Sequence, residues 1–216
     1  MLRGGERVVE VEIRELHRAE IPFAAGVLAR GMRDNPGAVA VYGDDPLRRV
    51  HDLEAQFRTF LPASRHPPLV ACRAGVIVGV LGVAPPGACR VSLARRLRVA
   101  PPLLLRTHLL LRGPVAWLRI VCWANAWSER DPGERHWHLG PVAVEAGLQG
   151  LGIGSQMMNV FCRRIDAAGD MAFLETDKPE NVRFYRKFGF QTIDEIAVLG
   201  LRTWFMRRAP GPAPSS

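Results

Sequence analysis

Residues Trp137 to Ser155 read WHLGPVAVEAGLQGLGIGS. Trp137, Leu139 and Ala143 alternate with His138, Gly140, Val142 and Val144, the two-residue period of a strand. Glu145-Ala146-Gly147 then turns the chain, and Gly150, Gly152 and Gly154 follow at every second position. After them Met157, Met158, Phe161, Cys162 and Ile165 recur at helical spacing. The unit is therefore strand, glycine loop, helix. Glycines there let successive N–H groups face one concavity, and the new helix adds its unpaired N–H groups and the positive end of its dipole. Such a concavity favours a phosphate or pyrophosphate.

The spacing narrows which phosphate. A mononucleotide P-loop needs GxxxxGK[ST], and no lysine follows these glycines. A dinucleotide fingerprint needs GxGxxG with an acidic residue about 20 positions on; here the pattern is GxGxG, and Glu175 lies further along. Gln149-Gly150-Leu151-Gly152-Ile153-Gly154 instead resembles the Q/R-x-x-G-x-G/A acyl-coenzyme A loop of the GCN5-related N-acetyltransferases (GNAT). A second segment, Asn181-Val182-Arg183-Phe184-Tyr185-Arg186-Lys187-Phe188-Gly189-Phe190, is similar to that family's N-x-x-F-Y-x-x-x-G-F helix after the fifth strand. The two motifs stand in family order. The resemblance is close from Arg135 to Arg208 and rests on element order and composition before that.

Composition bounds the rest. The chain has 216 residues, 48% of them apolar, enough to bury a core as one domain. Met1 to Arg18 carries charges throughout and has no apolar run of the signal-peptide kind. The most apolar windows, Leu69 to Val83 and Leu103 to Trp127, are interrupted by arginines and prolines and do not read as membrane spans. Cys72, Cys89, Cys122 and Cys162 are far apart with no CxxC, which indicates neither a zinc site nor a disulfide framework and suits a reducing cytoplasm. The net charge of +8 raises a nucleic-acid reading. However, only Lys178 and Lys187 are lysines and the arginines form no run, so the charge reads as a dispersed surface that helps attract a polyanionic coenzyme.

In chain order, Val8 to Leu16 alternates apolar and charged residues and predicts an edge strand. Ala19 to Met32 predicts a helix, and Pro36 to Asp45 a Gly/Asp-rich loop. Asp45-Pro46 predicts an N-cap and N1 proline, opening a helix whose apolar face is Leu47, Val50, Leu53, Phe57, Phe60 and Leu61. Leu69 to Arg73 and Val76 to Val83 predict a hairpin turned at Ala74-Gly75. A Leu-rich segment from Pro101-Pro102 ends at Gly113-Pro114, and Val115 to Ser128 predicts an extra helix with Trp117, Ile120, Val121 and Ala124 on one side. Gly169 reads as the cap after the glycine-loop helix. Met171 to Thr176 predicts a parallel strand. Thr176-Asp177-Lys178-Pro179 carries capping chemistry for a helix that Gly189 closes, and Gln191 to Val198 and Arg202 to Arg208 are strand-like. The expectation is a mixed α/β fold: one GNAT-like domain, residues 1–208, with a mostly antiparallel central sheet, flanking helices and a splayed pair of central parallel strands. Residues 209–216 are expected to be a disordered Pro/Ala/Ser tail.

What the resemblance implies about chemistry is acetyl-CoA as co-substrate, no metal, and direct transfer of an acetyl or other acyl group to a small-molecule or peptide amine. It implies no nucleic-acid or membrane partner and allows a homodimer. The coenzyme would be met by Val142, Ala143 and Val144 through their backbone, by Gln149, Gly150, Leu151, Gly152, Ile153, Gly154 and Ser155 around the pyrophosphate, and by Asn181, Phe184 and Tyr185. Tyr185 would protonate the departing thiolate. An alkyl amine, with a pKa of about 10.4, must lose a proton, and His136, His138 and Glu175 are candidate bases; the family keeps its base at no single position. The acceptor pocket is expected between the Pro36 to Asp45 loop and the Leu199 to Leu201 turn, with Asp34, Asp44 and Asp45 at one lip. Two other readings stay open: an acyl-CoA-binding regulatory domain without turnover, and an arginine-rich RNA binder.

Overall fold

The computed structural model describes residues 9–64, 66–87 and 114–211. Within them, β1 (Glu12–Glu15), α1 (Ile21–Gly31), α2 (Pro36–Tyr42), α3 (Pro46–Phe60), β2 (Leu69–Arg73) and β3 (Val76–Ala84) form the first half. The second half is α4 (Pro114–Arg130), β4 (His136–Val144), α5 (Ile153–Ala167), β5 (Met171–Thr176), α6 (Pro179–Arg186), β6 (Gln191–Val198) and β7 (Leu201–Arg208). The strands stand in the order β1-β2-β3-β4-β5-β7-β6. Every neighbouring pair is antiparallel except β4 and β5, which run parallel. The mixed sheet and its edge strand β1 match the expectation. Val8, Cys89, the Leu-rich segment from Pro101 to Gly113 and tail residues 212–216 lie outside the described residues.

Side-chain alternation divides the core into two layers. From β2, Leu69 and Ala71 join Met157, Met158, Phe161 and Ile165 of α5, whereas Val70 and Cys72 join Ala24 and Leu28 of α1 and Leu53 and Phe57 of α3. Fully burying one such side chain contributes about 1.5–3 kcal/mol, so helices on both faces are what keep this apolar sheet folded. The β2–β3 turn places Ala74 and Gly75 at φ 50° and 78°, the mirror-image turn whose twist suits a tight hairpin.

The alternation read for β4 breaks in the middle. Leu81 pairs with Val142 and Val83 with Leu139, so β4 spends one residue more than β3 over that interval. This bulge falls at Gly140-Pro141, where the peptide bond is cis and Gly140 has φ 151°. An inserted residue reverses the facing of everything after it. Leu139 therefore packs with α5 while Ala143 packs with α1 and α3, and the two do not share a face as their odd numbering suggested.

Three other expectations change. Pro36 to Tyr42 is helical rather than a loop: Asn35 is extended (ψ 136°), Pro36 supplies the fixed φ of a first turn, and Gly37, Ala38 and Val41 are buried. In α3, Asp45 caps as expected, its side chain accepting from the N–H groups of Leu47 and Arg48 at 3.0 and 3.2 Å. Leu53, Phe57 and the following Leu61 are buried, but Leu47 is 82% exposed and Phe60 45%, so the inward stripe is narrower than the sequence face. Helix α4 runs on to Arg130 and turns Trp123, Ala126, Trp127 and Arg130 partly inward, while Ala124 is exposed. The tail begins against the body: Gly211 N–H donates to Asp166 Oδ1 at 2.7 Å.

Helix α1 approaches β4 closely enough to need a glycine. A Cβ on Gly31 would stand 2.7 Å from the Val144 carbonyl oxygen and 2.9 Å from Ala143 Cβ. Gly31→Val should therefore cost about 1–3 kcal/mol through overpacking and lower the thermal midpoint by about 2–4 °C for each kcal/mol. An unchanged midpoint in a calorimetric scan would mean that the α1–β4 contact has slack to spare.

Candidate functional site

The glycine loop folds as its composition requires. Gly150 and Gly152 adopt φ of 79° and 77°, left-handed conformations costly for other residues, and Gly152 is the residue from which α5 starts. Gln156 N–H reaches back to the Gly152 carbonyl at 3.1 Å. The earlier N–H groups of the helix, from Ile153 to Ser155, have no carbonyl one turn back to receive them. The loop is held on two sides. Val9 N–H donates to Leu151 O at 3.2 Å while Gln156 Nε2 donates to Val9 O at 2.7 Å. Gln149 Nε2 donates to Val144 O at 3.1 Å, joining the loop to the end of β4. Val142 and Val144 lie partly buried on the α5 side, whereas the Ala143 side chain points into the other layer, leaving only its backbone for a ligand.

Next to this loop the parallel pair opens. Strand β4 pairs with β5 only through His136, Trp137 and His138, opposite Met171, Ala172 and Phe173. The closed end is clamped by Asp170, which accepts from Arg135 Nε at 2.8 Å and Trp137 Nε1 at 2.9 Å; the Arg135 guanidinium holds this carboxyl below the usual carboxylate range. Beyond His138, β4 stays with β3 while β5 leaves toward β7, and a cleft forms between them.

The cleft widens into a cavity of about 470 Å³. His138 to Val142 of β4, Glu175, Thr176 and Asp177 at the end of β5, and Asn181 and Tyr185 of α6 line it. So do Leu53, Phe57 and Phe60 of α3, Asn35 and Ala38 around α2, and Trp123 and Trp127 of α4, with Trp123 and Asp177 meeting at Gly37. The i, i+4 spacing of Asn181 and Tyr185 thus puts both on one wall, as expected. Phe184 turns the other way, toward the loop: a Cβ on Gly154 would stand 3.4 Å from its Cζ.

Three groups there can hold or move a proton. His138 Nε2 and Glu175 Oε1 are 3.1 Å apart, with the Glu175 side chain 8% exposed, and Glu175 Oε2 is buried with no partner among the described residues. Tyr185 is buried between Phe184 and Phe190. Burial, followed by the nearby Glu175 charge, raises its pKa well above the ordinary phenol value, so at neutral pH it is a donor and not a base. Asn181 is fixed by a 3.1 Å bond from its amide to Thr176 Oγ1.

Other candidates fall elsewhere. His136, although it shares a contact with Phe173 with His138, is 5% exposed, has Nδ1 2.8 Å from Glu134 O and Nε2 2.9 Å from Asp131, and does not line the cavity. Donor atoms of Asp131, His136 and His138 come within 4.8 Å of one another, a polar cluster beside the parallel pair. The acceptor lip expected at Asp34, Asp44 and Asp45 is not part of the cavity wall, nor is the Leu199 to Leu201 turn. Asp45 is the α3 cap, and Asp34 pairs with Arg33 and with buried Arg49, whose Nη1 also donates to Gly43 O at 2.7 Å. Those aspartates build the corner between α1, α2 and α3.

Sequence reasoning missed part of the lining. Trp123 and Trp127 are in edge contact at 4.5 Å, and their i, i+4 spacing was the available signal. Asp177 was read only as capping chemistry; its carboxylate accepts from Gly37 N–H, fastening α2 over the end of β5.

Residues 32–190 match the acetyltransferase (GNAT) family. Among solved structures, the chain is similar to the histone acetyltransferase HPA2 and related acetyltransferase from Corynebacterium glutamicum, with 19% identity, 96% of this chain and 100% of that one covered, and a TM-score of 0.70. It is also similar to a GNAT family acetyltransferase from Brucella melitensis in complex with acetyl-CoA (18%; 96% and 92%; 0.51) and to the Drosophila melanogaster polyamine N-acetyltransferase (14%; 93% and 100%; 0.67). With a match over most of its length, the chain belongs to the GNAT acetyltransferase family.

Proposed function

We propose that the enzyme transfers an acetyl group from coenzyme A to a primary amine by direct attack, with residues 1–208 as its one domain and the cytoplasm, which keeps Cys72, Cys122 and Cys162 as the free thiols they are, as its compartment. The observation that carries this reading is the convergence, in one cleft, of the buried His138–Glu175 pair and the Tyr185 wall beside the glycine loop. The pyrophosphate lies on the N–H groups from Gln149 to Ser155. The pantetheine arm runs along Val142 to Val144 in the position a neighbouring strand would take, with Asn181 and Phe184 beside it. Members of this family need no metal.

The amine enters mainly as its ammonium, since its pKa is about 10.4. Glu175, relayed by His138, takes one proton. The freed lone pair attacks the thioester carbonyl carbon, and the tetrahedral intermediate collapses with the C–S bond electrons going to sulfur. The nitrogen gives up its second proton, as the amide forms, to His138, which the relay of the first proton to Glu175 has left neutral. Tyr185 holds its proton more tightly than a thiol, whose pKa is about 8.5, so its O–H steadies the thiolate by a hydrogen bond and the sulfur leaves unprotonated. Holding the two reactants in line supplies the largest share of the rate, about 7–11 kcal/mol for well-oriented partners.

Release of CoA thiol from acetyl-CoA in the presence of amines tests the reaction itself. Gly152→Val forces a β-branched residue into φ 77°, costing about 1–2 kcal/mol in the loop, and should weaken CoA binding by about tenfold or more in calorimetry; parental affinity would put the pyrophosphate elsewhere. Tyr185→Phe keeps the ring and should lower kcat by about 10- to 100-fold with CoA affinity retained, whereas full kcat would leave the hydroxyl without a role. Glu175→Gln should lower kcat/KM by about 10²- to 10⁴-fold at neutral pH. Its deficit should shrink as pH rises toward the amine pKa, because free amine then needs no base; a deficit constant with pH would make Glu175 structural.

A further inference from the structure

We propose that the acceptor is an amine with an aromatic or similarly bulky apolar body, its ammonium against Glu175 and its body between Trp123, Trp127 and Phe57. This rests on the acyl-transfer reading and narrows it. Cavity electrostatics carry the first half. Glu175 Oε2 is buried and has no partner among the described residues, and a buried carboxylate oxygen is stable only when a donor, best a cation, reaches it. The other carboxylate lining the cavity, Asp177, accepts from Gly37 N–H. The three aspartates nearest in sequence to α2 are not part of the lining. Glu175 Oε2 is therefore a buried acceptor open to a positive charge.

The aromatic lining carries the second half. Trp123 and Trp127 meet edge to face at 4.5 Å, and Phe57, Leu53 and Phe60 of α3 continue the apolar surface. An apolar body gains from the same surface. The cavity of about 470 Å³ holds both the acyl end of the coenzyme, at Val142, Asn181 and Tyr185, and the acceptor, and lies in the range that small-molecule pockets occupy, about 300–1,000 Å³.

The test is thiol release by the full chain with acetyl-CoA and phenethylamine, ethylamine or spermidine as acceptor. The expected order is phenethylamine first, with kcat/KM about tenfold or more above each of the other two, as expected when several apolar groups enter a matching pocket. Trp127→Ala and, separately, Trp123→Leu should compress the phenethylamine to ethylamine ratio by several-fold, while calorimetry shows CoA still bound. Spermidine as the best acceptor, or a ratio that neither variant moves, overturns the proposal and leaves the transfer reaction standing. If no amine in a broad panel releases thiol from a protein that binds CoA, acyl transfer itself fails and the proposal goes with it.

Discussion

Past His138, β4 keeps its pairing to β3 and has none to β5, so a run of backbone N–H and C=O groups at the centre of the sheet is left facing a cleft. Buried main-chain groups cost free energy unless something bonds them, and a central strand with one open edge is a template for an extended ligand. The rest of the architecture serves this opening. Asp170, bonded by Arg135 and Trp137, pins the closed end of the parallel pair. The Gly140-Pro141 bulge bends β4 away, and Gln149 ties the phosphate loop to the last carbonyl of the strand.

Helix α6 joins the two halves of the chemistry. One face carries Asn181 and Tyr185 to the cavity, and the next residue round, Phe184, packs at the start of α5. Its N-terminus follows Asp177, which is bonded to α2, and its C-terminus closes with Phe190 N–H on the Tyr185 carbonyl at 3.3 Å and Gly189 at φ 85°. Asp177 thus ties α2 to the start of α6, and Tyr185 stands between one and two turns further along that helix.

Much of this was legible in the chain. The glycine loop, the inward face of α5, the hairpin at Ala74-Gly75 and both closing glycines, Gly169 and Gly189, follow from local conformational demands, which sequence records directly. What was not legible depends on distant contacts. Nothing local says that β4 gains a residue over β3, so Ala143 was assigned to the wrong layer. Asn35-Pro36 has the same start signal as Asp45-Pro46, but seven residues rich in Gly, Ala and Val read as loop until burial against α3 and α4 is known. Asp34 and Asp45 looked like acceptor ligands because charge near a pocket is indistinguishable, in sequence, from charge that caps a helix or neutralises Arg49.

The placement of Tyr185 next to Glu175 bears on the proposed proton traffic. Burial, followed by the carboxylate, raises the phenol pKa, which keeps Tyr185 a hydrogen-bond donor; in the proposed mechanism the base is the His138–Glu175 pair. The same two causes make full proton transfer from Tyr185 to a thiolate unfavourable, since thiols are the stronger acids. A hydrogen bond that strengthens as charge collects on sulfur is then the most that the hydroxyl supplies, and it is worth most in a cavity with apolar walls, where little water competes. In the proposed mechanism the aromatic lining, Trp123 and Trp127, thus acts on both reactants: it receives the body of the amine and lowers the dielectric in which the departing sulfur is held.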